Sequence, residues 1–171
     1  MYRKFLILFP FFFIFLVQKS IAFDTGFSLD LKKSDQPIAI SSDRMEYNNK
    51  NHNILFSGNV IIKQGDLKIQ AKELKVMQDE QGKNITSIIA KGDVQIQQKE
   101  SIASCDEAKF FMKKEMVILT GHPIIRQGEN IVEGEKITIL FAEKRSIVEG
   151  GANQRVEVTL SPPKKGKEKK E

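Results

Sequence analysis

Few side chains in this sequence could do covalent or metal chemistry, and their spacing argues against it. His52 and His122 stand 70 positions apart in turn-like surroundings, with no Cys or second His at the short spacing that a metal site needs. Asp43, Asp106 and Glu135 recur at one position of an internal repeat, as a structural turn residue does, whereas a pair doing general acid and base work would be unique. No Gly-rich phosphate loop and no Gly-x-Ser-x-Gly elbow occurs. These residues therefore give no catalytic residue, no metal ligand and no cofactor. What recurs instead is apolar residues on alternate positions, and the chemistry they offer is burial.

The elements that must position them follow from the repeat. A Gly recurs at Gly58 (Phe56-Ser57-Gly58-Asn59-Val60), Gly92 (Ala90-Lys91-Gly92-Asp93-Val94), Gly121 (Leu119-Thr120-Gly121-His122-Pro123) and Gly150 (Val148-Glu149-Gly150-Gly151-Ala152), at spacings of 34, 29 and 29. Before each Gly stands a second motif with a small third residue: Ser42, Ala71, Cys105 and Gly134. The small residue precedes its Gly by 16 positions in units one, three and four and by 21 in unit two, where Gln78 to Asn84 supplies a longer turn. Four units of about 29 residues result. Within them apolar and polar residues alternate at period 2, the mark of half-buried strands. Turns are signalled at Asn48-Asn49-Lys50-Asn51, Gln64-Gly65-Asp66, Gln127-Gly128-Glu129-Asn130 and Glu143-Lys144-Arg145. Helical spacing is weakly present only around Phe27 to Lys33.

The expected fold is all-β: an open, twisted jelly roll or solenoid-like sandwich of antiparallel strands, with each repeated Gly marking a bulge where a strand folds from one sheet to the other. The small residues would sit where the sheets approach. That makes Cys105, the only cysteine, a packing residue rather than a reactive one, and no internal disulfide is available. The inner face takes Ile38, Ile40, Ile54, Phe56, Val60 and Ile62 from the first unit. Ile69, Leu74, Val76, Val94 and Ile96 continue it. Phe110, Met112, Leu119 and Ile125 come from the third unit, and Ile137 and Ile139 from the fourth. By themselves such residues read first as an ordinary core.

The two ends differ from the body. Met1-Tyr2-Arg3-Lys4 precedes an uncharged run of 13 residues, Phe5 to Val17, and then Ser20-Ile21-Ala22. This is a three-part secretory signal over residues 1–22, with cleavage after Ala22 expected and an uncleaved anchor as the alternative. The run is shorter than the roughly 20 residues of a bilayer-spanning helix. A flexible extension is expected over 23–35, the folded domain over 36–160, and a disordered Lys-rich tail over 161–171. Without the signal and the tail, 19 basic residues face 20 acidic ones. A sequence pI near 9.2 therefore resides in the ends, and nucleic-acid binding is excluded as the function. The body also has a single Tyr, Tyr47, and no Trp on which bases could stack.

The run Gln36-Pro37-Ile38-Ala39-Ile40-Ser41-Ser42-Asp43, the segment Phe56 to Gly65 and the stretch from Leu119-Thr120-Gly121 to Gly134-Glu135-Lys136-Ile137-Thr138 resemble the OstA-like family of periplasmic lipopolysaccharide-transport domains. The resemblance spans about residues 36–160. It implies a jelly roll with a greasy interior that carries lipopolysaccharide between the membranes by its acyl chains, with contacts at Ile38, Ile40, Ile96, Phe110 and Met112. It also implies head-to-tail homo-oligomers, and docking onto LptC-like inner-membrane and LptD-like outer-membrane partners with the same domain. Lys72 departs from the Asp common at its position, and Pro123 interrupts the third Gly motif. The unpaired edges for assembly are expected at Ile38 and Ile40 at the start and at Val156, Val158 and Leu160 at the finish. Two other readings stay open on the sequence: a filament of stacked repeats without ligand, and a membrane-anchored relative that keeps residues 1–22.

Overall fold

The structure, a computed structural model, describes residues 36–162. The signal-like segment, the extension over 23–35 with its weak helical spacing, and residues 163–171 of the tail lie outside the described residues. Twelve antiparallel strands form one continuous sheet: β1 (Ala39–Ser41), β2 (Arg44–Asn48), β3 (Asn53–Gln64), β4 (Leu67–Gln78), β5 (Ile85–Gln98), β6 (Ser101–Phe111), β7 (Met116–Thr120), β8 (Ile124–Gln127), β9 (Asn130–Glu133), β10 (Lys136–Leu140), β11 (Arg145–Glu149) and β12 (Glu157–Thr159). The described residues contain no helix.

The repeated Gly folds this sheet into two layers. In β3 the residues before Gly58 pair with β2, and those after Asn59 pair with β1. The ladder between β3 and β4 breaks its register between Ser57 and Val60, and that between β5 and β6 breaks between Lys91 and Val94. Gly58, Gly92 and Gly121 have φ of 77°, 76° and 76°, and the residues after them, Asn59, Asp93 and His122, follow at 45°, 48° and 53°. Two consecutive left-handed residues cannot continue a pleated strand, so the chain turns a corner. One layer then runs β1, the second half of β3, the first half of β4, the second half of β5, the first half of β6, β8, β9 and β12. The other runs β2, the remaining halves of β3 to β6, β7, β10 and β11.

Each corner is braced by the residue that follows the small one. Asp43 N–H donates to the Gly58 carbonyl at 2.9 Å and Asp106 N–H to the Gly121 carbonyl at 3.1 Å. A Cβ at Gly58 or Gly121 would fall on the carboxylate of Asp43 or Asp106, so the glycine is required by space as well as by φ. Asn59 Nδ2 donates to Asp43 Oδ2 at 2.9 Å. In unit two the polarity is exchanged: Lys72 replaces the acid, and its Nζ lies 2.7 Å from Asp93 Oδ2, the residue after Gly92. The departure at Lys72 thus carries its own compensation.

Pro123 has a different effect. Units one and two pass through their corners as single long strands, whereas Gly121-His122-Pro123 separates β7 from β8, because proline has no N–H for the ladder. It is fully buried, and its carbonyl accepts from Gly134 N–H at 3.4 Å. Among the turns, that at Met112 to Glu115 carries no Gly or Asn, although Glu115 adopts φ of 45°. The folded body also reaches past residue 160, since Ser161 N–H donates to Asn130 Oδ1 at 2.9 Å.

Gly121→Ala should lower stability by about 2–3 kcal/mol, combining backbone strain with the clash against Asp106. Gly128 has φ of 58°, but nothing lies within 4 Å of where an added Cβ would stand, so Gly128→Ala should cost only about 1 kcal/mol. Urea unfolding of the two variants measures the difference, and equal losses would show that space at the corner is irrelevant.

Candidate functional site

The candidate site is the interior itself, and the sheet register defines it. Inward-facing residues line up across the strands in three rows. In the first layer the row is Ile40, Ile62, Ile69, Ile96, Ala103, Ile125, Val132 and Val158. In the second layer one row is Met45, Phe56, Leu74, Ala90, Ala108, Leu119, Ile137 and Val148, and the next is Tyr47, Ile54, Val76, Ile88, Phe110, Val117, Ile139 and Ser146. Apart from Tyr47 and Ser146, every member is an apolar side chain. The rows run along the long axis of the sandwich, perpendicular to the strands.

Burial divides the residues read from the sequence into three groups. Val60, Ile62, Ile69, Leu74, Val76, Val94, Ile96, Phe110, Leu119, Ile137 and Ile139 are buried in the middle of the molecule. Ile40, Ile54, Phe56, Met112 and Ile125 are half-buried and pack against that core. Ile38 is 48% exposed and lies just before β1. At the other end Val156, Val158 and Leu160 are also exposed although they keep the inward parity of Val132, and β12 holds only Glu157 to Thr159. The interior is thus sealed in its middle and open at both ends of the sheet.

Ten members of these rows were not among the residues singled out from the sequence (Met45, Tyr47, Ile88, Ala90, Ala103, Ala108, Val117, Val132, Ser146 and Val148), and two of them lie at the open end. Met45 and Tyr47 face inward opposite Phe56 and Ile54 and are 59% and 51% exposed. Their alternation with Arg44, Glu46 and Asn48 was a signal that could have placed them. The edge was likewise incompletely read: besides the segments at Ile38–Ile40 and Val156–Leu160, β2 and β11 are each paired on one side only.

The first layer also has a polar rim. Gln64, Leu67, Gln98, Ser101, Gln127 and Asn130 occupy the next inward row out from the corners. Gln64 and Ser101 are buried, and Gln64 Nε2 donates to the Gln36 carbonyl at 3.1 Å. Gln98 Nε2 donates to Asp66 Oδ1 at 3.1 Å, while its Oε1 is buried without a partner. The apolar surface therefore ends in a line of amides and a hydroxyl, interrupted by the buried Leu67.

The groups weighed for reaction chemistry are placed apart. His52 lies in the turn between β2 and β3, and His122 in the third corner. Asp43 and Asp106 brace corners, and Glu135 stands beside Gly151 in the fourth. Among the described residues no group of three His, Cys, Asp or Glu is arranged to hold a metal. Cys105 is buried opposite Val94, and desolvation pushes its thiol up to about 12, with Asp106 adding to the shift. Such a thiol is protonated at any physiological pH. On the outer face Glu107 is flanked by Lys109 at 2.6 Å and Lys91 at 3.1 Å, and the hydrogen bond from Lys109 first, then that from Lys91, holds its pKa below the ordinary value.

Known proteins resemble this chain in sequence and in fold. A family model described as the LptA/(LptD N-terminal domain) LPS transport protein matches residues 39–145. The lipopolysaccharide export system protein LptA of Escherichia coli K12 is 30% identical over 135 residues, covering 75% of this chain and 73% of that protein. The lipopolysaccharide export system protein LptH of Pseudomonas aeruginosa is 26% identical over 137 residues, covering 76% and 77%. The crystal structure of LptH, the LptA homologous periplasmic component of the lipopolysaccharide transport device of that organism, superposes with a TM-score of 0.66 at 22% identity, covering 75% of this chain and 98% of that one. That superposition shows the fold: an all-strand antiparallel sheet that is not closed into a barrel.

Two outcomes follow from the burial pattern. Phe110→Ala, in the sealed middle, should cost about 3–5 kcal/mol of stability, and Phe56→Ala, near the open end, less than about 2 kcal/mol by denaturant unfolding. Iodoacetamide at pH 8 should alkylate Cys105 in the native protein at least roughly a hundred-fold more slowly than in urea. Comparable rates would contradict its burial.

Proposed function

Since the chain belongs to the LptA/LptD N-terminal-domain family of lipopolysaccharide transport proteins, we propose that it works in the periplasm as a carrier that holds the acyl chains of lipopolysaccharide against the three inward rows. The observation that supports this most directly is the continuity of those rows: six to eight consecutive strands each contribute an apolar side chain, and each row has an exposed member at one end, Val158, Met45 or Tyr47. A solid core would need no open ends. Each buried methylene contributes about 0.8 kcal/mol, so a few acyl chains offer a large gross gain that ordering costs reduce to a reversible affinity. The amide rim gives sugar and phosphate groups a polar boundary beside the apolar floor.

Assembly belongs to the same reading. Each end of the sheet presents two half-paired strands, β1 and β2 at the start and β11 and β12 at the finish. Joining the finish of one copy to the start of the next is a heterologous contact, which extends into an open bridge. Similar domains in LptC-like and LptD-like partners of the two membranes would dock on the same edges. Deleting residues 155–171 would leave β11 available, so loss of the final strand alone weakens the joint without abolishing it.

Ile125 tests the interior. It is half-buried on β8, next to the outward Arg126, whereas Ile96 and Phe110 are so buried that a charge there would first unfold the protein. Denaturing mass spectrometry of protein purified from a lipopolysaccharide-producing envelope should find bound glycolipid on the natural chain and on Arg126→Asp. Ile125→Asp should carry at least several-fold less while keeping a cooperative unfolding transition. A full lipid load on a folded Ile125→Asp would end the interior-binding reading.

A further inference from the structure

Across the outer face of the second layer runs a row whose charges alternate: Arg44, Ser57, Glu73, Lys91, Glu107, Thr120, Lys136 and Glu149. Lys91 and Glu107 pair at 3.1 Å, and Lys136 and Glu149 at 2.5 Å. No two like charges are neighbours anywhere along it. The row begins with a cation on the free edge of β2 and ends with an anion on the free edge of β11. Arg44 already donates to Glu46 Oε2 at 2.7 Å along its own strand, but a guanidinium carries five donors and can take a second carboxylate.

We propose, resting on the head-to-tail reading above, that this row sets the register of the joint between copies. β11 of one copy pairs antiparallel with β2 of the next so that Glu149 stands opposite Arg44. The same alignment puts Val148 opposite Met45 and Ser146 opposite Tyr47 on the inner face. In the other layer, continuing the row of Ile40 to Val158 puts Val158 opposite Ile40 and Leu160 opposite Ile38. The exposed inward residues of the two ends, 59% for Met45, 48% for Ile38, 52% for Val158 and 60% for Leu160, cover one another. The alignment that the charge row sets is therefore one that the apolar rows also accept.

The alternatives are worse for specific reasons. A slip of one residue turns every inward side chain outward. A slip of two keeps the faces but sets Glu149 against Glu46 in one direction, and in the other places Ile147 against Arg44 and leaves Glu149 beyond the strand. Like charges directly opposite destabilise a strand pair. The apolar rows alone would tolerate a two-residue slip; the charges remove it. The partner that fits this surface is thus a second copy of this chain in one register.

The test is a charge exchange in the full mature chain, followed by light scattering across a concentration series. The natural chain should form concentration-dependent oligomers. Arg44→Glu gives two acidic ends and Glu149→Arg two basic ends, and each alone should assemble roughly ten-fold more weakly. Mixing the two variants makes every mixed joint complementary and should restore assembly to within a few-fold of the natural chain. A variant that merely misfolds would not be rescued by mixing. If the natural chain stays monomeric at all concentrations, the head-to-tail reading falls and the register with it. If the natural chain assembles but the variants assemble equally well, or mixing restores nothing, the register inference is overturned while head-to-tail assembly stands.

Discussion

Everything in this molecule depends on a backbone step that only a few residue types tolerate: two successive left-handed residues in the middle of a strand. Gly58-Asn59, Gly92-Asp93 and Gly121-His122 take that step. An L-residue with a Cβ at the first position would meet both its own steric limit and the side chain bracing the corner. Because the steps occur at equivalent places in every second strand, the corners stack. Their alignment turns one sheet into two facing layers without any strand leaving its ladder. A corner displaced by one residue would point the remainder of its strand the wrong way, so the interior depends on the corners more than the corners depend on the interior.

The corner also explains how the repeat varies without breaking. An acid beside an amide in unit one becomes a Lys beside an Asp in unit two, which keeps one polar contact across each bend. These contacts are exposed, and isolated exposed pairs contribute little stability. Their value lies in orientation, since they hold the residue after the glycine in its unusual conformation. The buried rows supply the stability, and the sealed middle from Leu74 to Ile139 keeps the sandwich together while its ends stay open.

Most of the architecture was legible in the sequence because its two signals are periodic. The alternation at period 2 gave the strands, and the spacing of Gly58, Gly92 and Gly121 gave the corners, whereas Gly150, at the same spacing, lacks the positive φ and follows the last residue of β11 instead of bending a strand. The inward identity of Ile62, Ile69, Ile96 and Phe110 followed from parity. What parity could not separate was depth: Ile38 and Ile96 read alike, yet one is at an open end and the other is completely buried. Depth depends on how many neighbours a strand has, which is a property of the whole sheet. Met45 and Tyr47 were missed because their strand is short and was read as part of the repeated motif. The amide rim at Gln64, Gln98, Gln127 and Asn130 was invisible for the opposite reason, since polar residues at inward positions break the rule by which inward positions are recognised. The turn at Met112 to Glu115 lacks the residues that usually announce one.

The direction of the rows has a consequence of its own. Strands lie about 4.8 Å apart, so a row crossing them presents a similar side chain at that regular interval along the axis of the sandwich. A flexible hydrocarbon lying on such a surface meets a shallow, repeating potential in place of a single deep pocket. Shifting by one strand exchanges one Ile for another, and most contacts are remade as they are lost. On the carrier reading proposed above, the rows would act as a rail: affinity would be spread over their length, and no residue would have to release the whole of it at once.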